Sequence, residues 1–331
     1  MNSDSIQNAK NEKKLAIGVD LGGTKIGIAL VNRKGDIRDY IKKPTNAHQG
    51  KDAVISRIKE TIHQLIKQSG VNIENISGIG IGVPGQLDAR TGIVHSAPNL
   101  PGWMEVPLYR MVAEEFQVPV VLENDANAAA WGEKSFGAAQ GVKDMICLTL
   151  GTGIGGGLIF DSKIYHGNNF TAGEIGHIIV NKNGPLCNCG NFGCLEAYSS
   201  VSGIKNRISR RVKELKIGDQ NIFYQKDLNK FSLAKIFELA RQGNPMVKDI
   251  VDEAIEYLGV GIASLVNLLN PEMVVLVGGL TNEGDILLNQ VKDIVFHRAL
   301  KSNLVNLKIV FGNLEDYAGV TGAAALLWQS V

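Results

Sequence analysis

The sequence lacks an excess of charge of either sign. Its 331 residues contain 34 Lys and Arg against 33 Asp and Glu, which leaves a net charge of +1. No basic stripe with interleaved aromatic side chains stands out, although such a stripe is the usual electrostatic footprint of a nucleic-acid-binding protein. We therefore expect no nucleic-acid partner.

Long apolar runs are missing as well. No stretch approaches the ~18 uninterrupted apolar residues of a membrane-spanning helix. The first fourteen residues, MNSDSIQNAKNEKK, contain no apolar segment of the kind found in secretory signals. The sequence predicts a soluble, cytoplasmic chain with no membrane partner.

Proline and cysteine are scarce, with nine and four residues. So few prolines, with no G-X-Y period, exclude a collagen-like fibre. Four cysteines in a chain of this length exclude the disulfide framework of a small secreted protein. Three of the four lie between residues 187 and 194, and in a reducing compartment such crowding indicates a metal site.

Glycine, in contrast, is abundant, with 38 residues in the chain. Thirteen of them fall in four short segments that adjoin apolar runs. We expect these glycines to let the backbone approach ligands closely, because glycine has no β-carbon to obstruct the approach. The segments are Gly22-Gly23, GIGIGVPG at 78–85, GTGIGGG at 151–157 and Gly278-Gly279.

One structural plan occurs twice in the chain. Residues 14–37 predict a strand, a glycine turn, a second strand and a polar turn, and residues 144–166 repeat the plan, which indicates an internal duplication. Because strands alternate with helices elsewhere, the predicted class is α/β. A chain longer than about 250–300 residues usually forms two lobes, so we expect a ligand cleft between two lobes. The predicted lobes are a small N-terminal α/β lobe of residues 1–123 plus 315–331, and a larger C-terminal α/β lobe of residues 124–314 with a zinc-binding insert.

The two glycine turns are suited to phosphate binding. Gly151, Gly153 and Gly156 satisfy G-x-G-x-x-G, but the following segment predicts a strand where a dinucleotide-binding fold needs a helix. In DLGGTK, Asp20 is suited to hold Mg²⁺ through water, Thr24 to donate its hydroxyl and Lys25 to neutralise phosphate charge. Each turn taken alone is equally compatible with an ordinary hairpin; their equivalent places in a duplicated unit favour phosphate.

Asp125 follows a predicted buried strand and opens a predicted helix. A structural interpretation makes it an N-cap residue. A functional interpretation makes it a general base for a hydroxyl acceptor, since Asn124 precedes it and Glu174 and Glu196 lie in otherwise apolar or glycine-rich settings. Several carboxylates and amides around one pocket are typical of a polyhydroxyl ligand.

The crowded cysteines complete a metal-ligand pattern. His177, Cys187, Cys189 and Cys194 offer one imidazole and three thiolates, the complement of a closed tetrahedral structural zinc site. Zinc would fix a segment whose two ends carry Glu174 and Glu196. The remaining cysteine, Cys147, lies in an apolar strand and is predicted to be core.

Four ordered motifs carry a resemblance to a known family. They are ENDANAAAWGE at 123–133, GTGIGGG at 151–157, GEIGH at 173–177 and CNCGNFGCLE at 187–196. With them, nearly the whole chain resembles the ROK family of bacterial sugar kinases and sugar-responsive repressors, within the actin-like ATPase superfamily. The resemblance is weakest across residues 199–250, whose role the sequence leaves undetermined.

The resemblance implies a role for each candidate residue. Asp125 is implied as the base that deprotonates the sugar 6-hydroxyl, with ATP as phosphoryl donor and Mg²⁺ and structural Zn²⁺ as cofactors. The residues implied to bind or line the sugar are Gly85, Asn99, Asn124, Asp125 itself, Glu174, His177 and Glu196, with His177 also a zinc ligand. The residues implied to contact ATP are Asp20, Gly22, Gly23, Thr24, Lys25, Gly151, Thr152, Gly153, Gly278 and Gly279, the last two on the adenosine side.

Three functions remain open from the sequence. The leading one is an ATP-dependent glucokinase, because Asn99 and the Gly-Trp pair that follows it are similar to glucose-type members. A kinase for N-acetylmannosamine, fructose or another hexose is the first alternative. A sugar-responsive repressor is the second, although such repressors carry an N-terminal helix-turn-helix domain and only about fourteen residues precede the first predicted strand. The resemblance also implies a homodimer or homotetramer.

Overall fold

The structure, a computed structural model, describes residues 15–214 and 231–329. The chain divides into two compact units. The first contains the residues up to Cys147, Gly157–Gly173 and the residues from Gly312 onward, and the second contains Leu148–Gly156 and Glu174–Phe311. The predicted lobes assign residues 124–147, 157–173 and 312–314 differently, and their boundaries stay a prediction. Part of the segment 199–250, residues 215–230, lies outside the described residues.

The strands of the described residues are short and mostly apolar. In chain order they are β1 Leu15–Leu21, β2 Lys25–Asn32, β3 Ile37–Pro44, β4 Ile76–Val83, β5 Gln86–Asp88, β6 Ile93–Ser96, β7 Met104–Val106, β8 Val120–Asn124, β9 Met145–Leu150, β10 Ile154–Phe160, β11 Lys163–Ile164, β12 Met273–Val277 and β13 Lys308–Phe311.

The α-helices of the described residues follow or separate these strands. In chain order they are α1 Lys51–Ser69, α2 Leu108–Phe116, α3 Asp125–Ser135, α4 Leu195–Ser199, α5 Val201–Glu214, α6 Leu233–Arg241, α7 Pro245–Leu269, α8 Asp285–Arg298 and α9 Ala318–Leu326. Within the described part of the chain, no helix is both long and apolar enough to cross a membrane.

Two five-stranded sheets share one strand order. The first is β3-β2-β1-β4-β8 and the second is β11-β10-β9-β12-β13. In the first sheet the β1–β2 and β2–β3 pairs are antiparallel, whereas β1–β4 and β4–β8 are parallel. In the second sheet β10–β11 is antiparallel and β12–β13 is parallel. Each sheet therefore consists of three strands that are consecutive in the chain and two later strands beyond them, which confirms the predicted α/β class and the repeated plan.

The sequence pattern does not predict two parts of the fold. Strand β3 was not predicted, because its residues alternate irregularly between half-buried and exposed positions. The small antiparallel sheet β5-β6-β7 was not predicted either, since its strands are only three or four residues long. Strands this short carry too little periodicity to be recognised in a sequence.

Backbone-to-backbone packing of α9 requires glycine at several positions without any ligand, and one of them, Gly80, belongs to the 78–85 segment that the sequence analysis assigned to ligands. A β-carbon on Gly18 of β1 would lie 1.8 Å from the Val320 carbonyl oxygen of α9, and one on Gly80 of β4 would lie 1.8 Å from that of Ala323. A β-carbon on Gly322 would lie 1.7 Å from the Ala128 carbonyl oxygen of α3. Ligand contact is therefore an incomplete reason for the glycine excess, because these glycines allow a helix to lie directly on strands and on another helix.

A buried carboxylate ties the end of α3 to the segment before α9. Glu133 is 0% exposed, and its side chain accepts hydrogen bonds from the backbone N–H groups of Ala138, Asn313 and Leu314 at 2.8, 3.0 and 2.9 Å. Two of these donors lie about 180 residues along the chain from Glu133. The buried carboxylate thus joins the C-terminal end of α3 to the segment that leads into α9 through backbone hydrogen bonds.

We expect Glu133→Ala to lower the free energy of unfolding by about 3 kcal/mol, because three backbone N–H groups lose the acceptor that joins two distant parts of the chain. Urea denaturation followed by circular dichroism measures the change. Glu114→Ala is the control, since Glu114 of α2 is exposed and pairs with Arg110 one turn away. An equal loss in both variants would contradict the role given to Glu133.

Candidate functional site

The DLGGTK turn between β1 and β2 is closed by its own backbone and by one distant threonine. The Gly22 N–H donates to the Lys25 carbonyl oxygen at 2.9 Å. Thr45, which is 0% exposed, donates its hydroxyl to the Gly22 carbonyl oxygen at 2.6 Å and its N–H to that of Thr24 at 2.9 Å. The side chains of Thr24 and Lys25 remain exposed, so both are available to a ligand. No motif or spacing in the sequence pointed to Thr45.

Asp20 and Asp125 are neighbours in the first unit. Asp20 of β1 pairs in register with Gly82 of β4, and a β-carbon on Gly82 would lie 3.5 Å from the Cα atom of Asp125. Burial raises the pKa of Asp20 to about 7, and the negative charge of Asp125 adds to the rise while Lys42 opposes it. Because the negative charges of neighbouring carboxylates repel each other, a cation bound beside them would stabilise both charges.

Asn124, and not Asp125, is the N-cap of α3. Its Oδ1 atom accepts hydrogen bonds from the N–H groups of Ala126 and Asn127 at 2.9 and 3.2 Å. Asp125 is the first helical residue, and its Oδ1 atom accepts from the Ala126 N–H at 2.9 Å. The capping role considered for Asp125 is therefore wrong, because the preceding amide side chain already meets the free N–H groups of the first turn.

The remaining first-unit candidates lie next to these residues. The Nδ2 atom of Asn124 donates to the Gly85 carbonyl oxygen at 3.2 Å. Gly85 has φ +95°, and a β-carbon there would lie 2.2 Å from the Ser96 carbonyl oxygen, so only glycine fits the position without strain. Asn99 is exposed, and its Cβ atom would lie 3.1 Å from a β-carbon on Gly23. Asn99 therefore lies against the DLGGTK turn.

The second glycine hairpin, between β9 and β10, is hydrogen-bonded to Glu196, one of the residues predicted to bind the sugar. The Gly151 N–H donates to the Gly153 carbonyl oxygen at 3.0 Å. An Oε atom of Glu196 accepts from the Ile154 N–H at 2.9 Å and would lie 2.4 Å from a β-carbon on Gly153. Glycine is required at 153 because the carboxylate of Glu196 occupies the space of a side chain. The side chain of Thr152 is exposed.

Gly278 and Gly279 follow β12 and adjoin this hairpin. Gly278 has φ +101°, and a β-carbon there would lie 2.7 Å from the carbonyl oxygen of Leu150, the residue before Gly151. Gly279 is exposed, and a β-carbon there would meet no atom within 4 Å. The structure thus brings the predicted adenosine-side turn to the predicted phosphate hairpin of the second unit.

The four predicted metal ligands converge. One ligand atom from each of His177, Cys187, Cys189 and Cys194 lies within 4.8 Å of the other three, and no cysteine forms a disulfide. Cys187 and Cys194 are buried. Three thiols and an imidazole at such distances fit the donor set of a structural zinc ion. Cys147 is 0% exposed in β9, as predicted for a core residue, and burial raises the pKa of its thiol.

Both predicted carboxylates of this segment lie beside the cluster. The Nδ1 atom of His177 lies 3.7 Å from the Cys187 sulfur, and its Nε2 atom lies 3.9 Å from the Glu174 Oε2 atom. The Glu196 Oε1 atom lies 3.8 Å from the Cys187 sulfur. A cavity of about 180 Å³ opens here, with Cys187, Glu196, Ser202, Asn206 and Arg210 among its lining residues. Of the two ring nitrogens of His177, Nδ1 faces the Cys187 sulfur and Nε2 faces the Glu174 carboxylate.

The predicted site residues form two sets, one in each unit. The first set is Asp20, Gly22, Gly23, Thr24, Lys25, Gly85, Asn99, Asn124 and Asp125, and the second is Gly151, Thr152, Gly153, Glu174, His177, Cys187, Cys189, Cys194, Glu196, Gly278 and Gly279. Each set holds one glycine hairpin and at least one carboxylate. Two sheets with one strand order, each holding one of the glycine hairpins, define a class: the chain has the α/β fold of the actin-like ATPases.

The chain belongs to the ROK family, whose model matches residues 16–330. It is 36% identical to a glucokinase of Thermotoga maritima, over 95% of this chain and 98% of the relative. It is 34% identical to a xylose repressor of Caldicellulosiruptor bescii, over 94% of this chain and 77% of the repressor. Among solved structures it matches a ROK family glucokinase from Streptomyces griseus in complex with glucose and AMPPNP, with 34% identity, a TM-score of 0.80, and coverage of 96% of this chain and 100% of that one.

We expect Asp20→Asn to raise the melting temperature of the nucleotide-free protein at about pH 8, with a gain that shrinks towards about pH 4. The folded-state pKa of Asp20, about 7, exceeds its ordinary value of 3.8, so ionisation of this half-buried group lowers stability as the pH rises through that interval. Thermal denaturation across the pH range measures the gain, with the exposed Asp52→Asn in α1 as control. A gain that is independent of pH would argue against this cause.

Proposed function

We propose that this ROK-family chain is an ATP-dependent glucokinase, which transfers the γ-phosphoryl group of ATP to the 6-hydroxyl of glucose. The observation that carries the proposal is the match, over nearly the whole chain, to a glucokinase solved with glucose and AMPPNP. The glucokinase of Thermotoga maritima, similar over almost its full length, supports the same function.

Asp125 is the proposed general base. Because Asn124 meets the N–H groups of the first turn of α3, the carboxylate of Asp125 is not needed as the cap. Asp125 lies at the first position of α3, and a carboxylate accepts a hydroxyl proton in its ionised form. A base that removes the hydroxyl proton as oxygen attacks phosphorus contributes about 10²–10⁴ in rate.

The two glycine hairpins are the proposed phosphate sites. Gly22, Gly23, Thr24 and Lys25 contribute one hairpin, and Gly151, Thr152 and Gly153 contribute the other, with Gly278 and Gly279 on the adenosine side. Bound Mg²⁺ supplies charge neutralisation on the β- and γ-phosphates, and Asp20 is the residue proposed to hold it through water. Lys25 adds a positive charge beside the same phosphates.

Sugar recognition is proposed for side chains of both sets. Asn124, Asn99 and the backbone of Gly85 contribute from the first, and Glu174, His177 and Glu196 from the second. The Nδ1 atom of His177 faces Cys187, and the Nε2 atom, 3.9 Å from the Glu174 Oε2 atom, is the nitrogen proposed to bind a hydroxyl together with Glu174. Glu196, whose Oε2 atom is held by the Ile154 N–H, has a fixed carboxylate. Fixed polar groups of this kind discriminate against sugars that leave them unpaired.

Zinc is the metal proposed for His177, Cys187, Cys189 and Cys194. Three thiolates and one imidazole leave no open coordination position, so its role is structural. The ion would fix the chain between Glu174 and Glu196, because ligands of both flanking stretches meet at one point. Metal-binding free energy on the order of 10 kcal/mol is available for this purpose.

Two other functions compete with the proposal. A kinase for N-acetylmannosamine, fructose or another hexose needs only a different set of hydroxyl contacts on the same frame. A sugar-responsive repressor is favoured by the 34% identity to the xylose repressor of Caldicellulosiruptor bescii. The homodimer or homotetramer expected from the family and the use of ATP as sole donor stay predictions.

We expect magnesium-dependent ADP release with glucose to exceed that with mannose, fructose, N-acetylglucosamine and N-acetylmannosamine in a coupled assay.

Asp125→Ala should lower kcat at least about a hundredfold while calorimetry still detects glucose binding, because only the base is lost.

Asp52→Ala is the matched control, since Asp52 is an exposed aspartate in the first turn of another helix, α1. Preference for another sugar would favour the other hexose kinases. Sugar binding without ADP release from the unaltered chain would favour a repressor. Full activity of Asp125→Ala would refute the base assignment.

We expect metal analysis to find about one zinc per chain, and Cys189→Ala to lose the zinc and raise the KM for glucose, because Glu174 and Glu196 are no longer fixed. Cys147→Ala, a core substitution outside the cluster, is the control and should keep its zinc. A zinc-free protein with an unchanged KM would be inconsistent with the proposed role of the metal.

A further inference from the structure

Glu123 is a buried carboxylate immediately before the proposed site residues. It lies at the end of β8 and is 4% exposed. A buried charge is costly unless partners compensate for it, and Glu123 has three. Its Oε1 atom accepts hydrogen bonds from the Asn124 N–H at 2.8 Å and from the Nδ2 atom of Asn127 at 3.0 Å. Its Oε2 atom lies 2.7 Å from the Nε2 atom of His166.

The two partners of Oε1 bracket Asp125 in the sequence. Asn124 precedes Asp125, and Asn127 lies in the first turn of α3 behind it. Asn124 in turn caps the helix through the N–H groups of Ala126 and Asn127. A single oxygen atom of Glu123 is therefore hydrogen-bonded to residues on both sides of Asp125.

The third partner, His166, fixes the other oxygen of that carboxylate. Its side chain is 28% exposed, and the hydrogen bond with Glu123 raises the pKa of the imidazole. The imidazole ring packs on the ring of Phe170, with centroids 5.1 Å apart. Phe170 also contacts the guanidinium of Arg90, which lies 4.4 Å from the Phe170 ring centroid. These contacts hold the imidazole in one orientation.

We propose that His166 is a positioning residue for the phosphoryl-transfer step: it donates a hydrogen bond to Glu123, and Glu123 sets the first turn of α3 so that Asp125 faces the acceptor hydroxyl. The inference rests on the proposed role of Asp125 as base. His166 and Glu123 touch no reacting atom, and they act only through the backbone and side chains around Asp125.

Two substitutions of His166 separate hydrogen bonding from packing. His166→Gln keeps an N–H donor but loses the ring, whereas His166→Phe keeps a ring for Phe170 but loses the donor. We expect His166→Phe to lower kcat by about tenfold or more with little change in the KM for ATP, since small misplacements of a catalytic group are costly. His166→Gln should retain most of the kcat.

The reverse order, with His166→Phe active and His166→Gln impaired, would show that the ring only packs and would overturn the inference. Equal, near-normal kcat values in both variants would overturn it too. Circular dichroism and thermal denaturation of each variant establish that kcat is compared between folded proteins.

A double-mutant cycle supplies a second measurement. Glu123→Gln keeps the shape of the side chain and an oxygen acceptor but removes the carboxylate that pairs with His166. If the two residues act through one bond, Glu123→Gln combined with His166→Phe should lower kcat no further than the worse single variant. Independent, multiplicative losses would overturn the inference.

Asp125→Ala in the same assay separates this inference from the proposed function. If Asp125→Ala keeps its activity, the proposed base is wrong and the inference fails with it. If Asp125→Ala is inactive while His166→Phe has a normal kcat, the proposed function stands and only the positioning role is refuted.

Discussion

The direct contact of α9 with strands β1 and β4 and with α3 is the constraint on which the first unit depends. At Gly18, Gly80 and Gly322 a β-carbon would lie within 1.8 Å of a backbone oxygen of the opposing element. Packing this close fixes α3, which carries Asp125 at its first position. It also brings Gly319 of α9 against Asp20, where a β-carbon would lie 2.7 Å from the carboxyl carbon.

Carboxylate side chains accept hydrogen bonds from N–H groups at both ends of α3. Glu133 accepts hydrogen bonds from three backbone N–H groups at one end of α3, and Glu123 binds Asn124 and Asn127 at the other. In the second unit Glu196 has a comparable role, because it joins the glycine hairpin to the cysteine cluster. A carboxylate suits these places since it accepts several hydrogen bonds at once, and low local dielectric strengthens each of them.

Much of the frame was predictable because its signals are local. The apolar runs around Gly22-Gly23 and Gly151 predicted both hairpins, and the spacing of His177, Cys187, Cys189 and Cys194 predicted a cluster that the structure confirms as a convergence of ligands. Thr45 and His166 were missed because their hydrogen-bond partners, Gly22 and Glu123, lie more than twenty positions away in the chain. Glu123 was missed because its pairing with His166 is equally non-local. The capping residue was misplaced by one position, since Asn124 and Asp125 both fit the preference at a helix start.

By itself the sequence determined the α/β class, the repeated hairpins, the family and the chemical types of the site residues, because periodicity, turn glycines and ligand spacing act over a few residues. Only the tertiary structure decided why Gly18, Gly80 and Gly153 must be glycine, which of Asn124 and Asp125 caps α3, and that His166 meets Glu123. These facts depend on contacts between residues far apart in the chain, and the free energy of such contacts comes from packing and desolvation that no local pattern records.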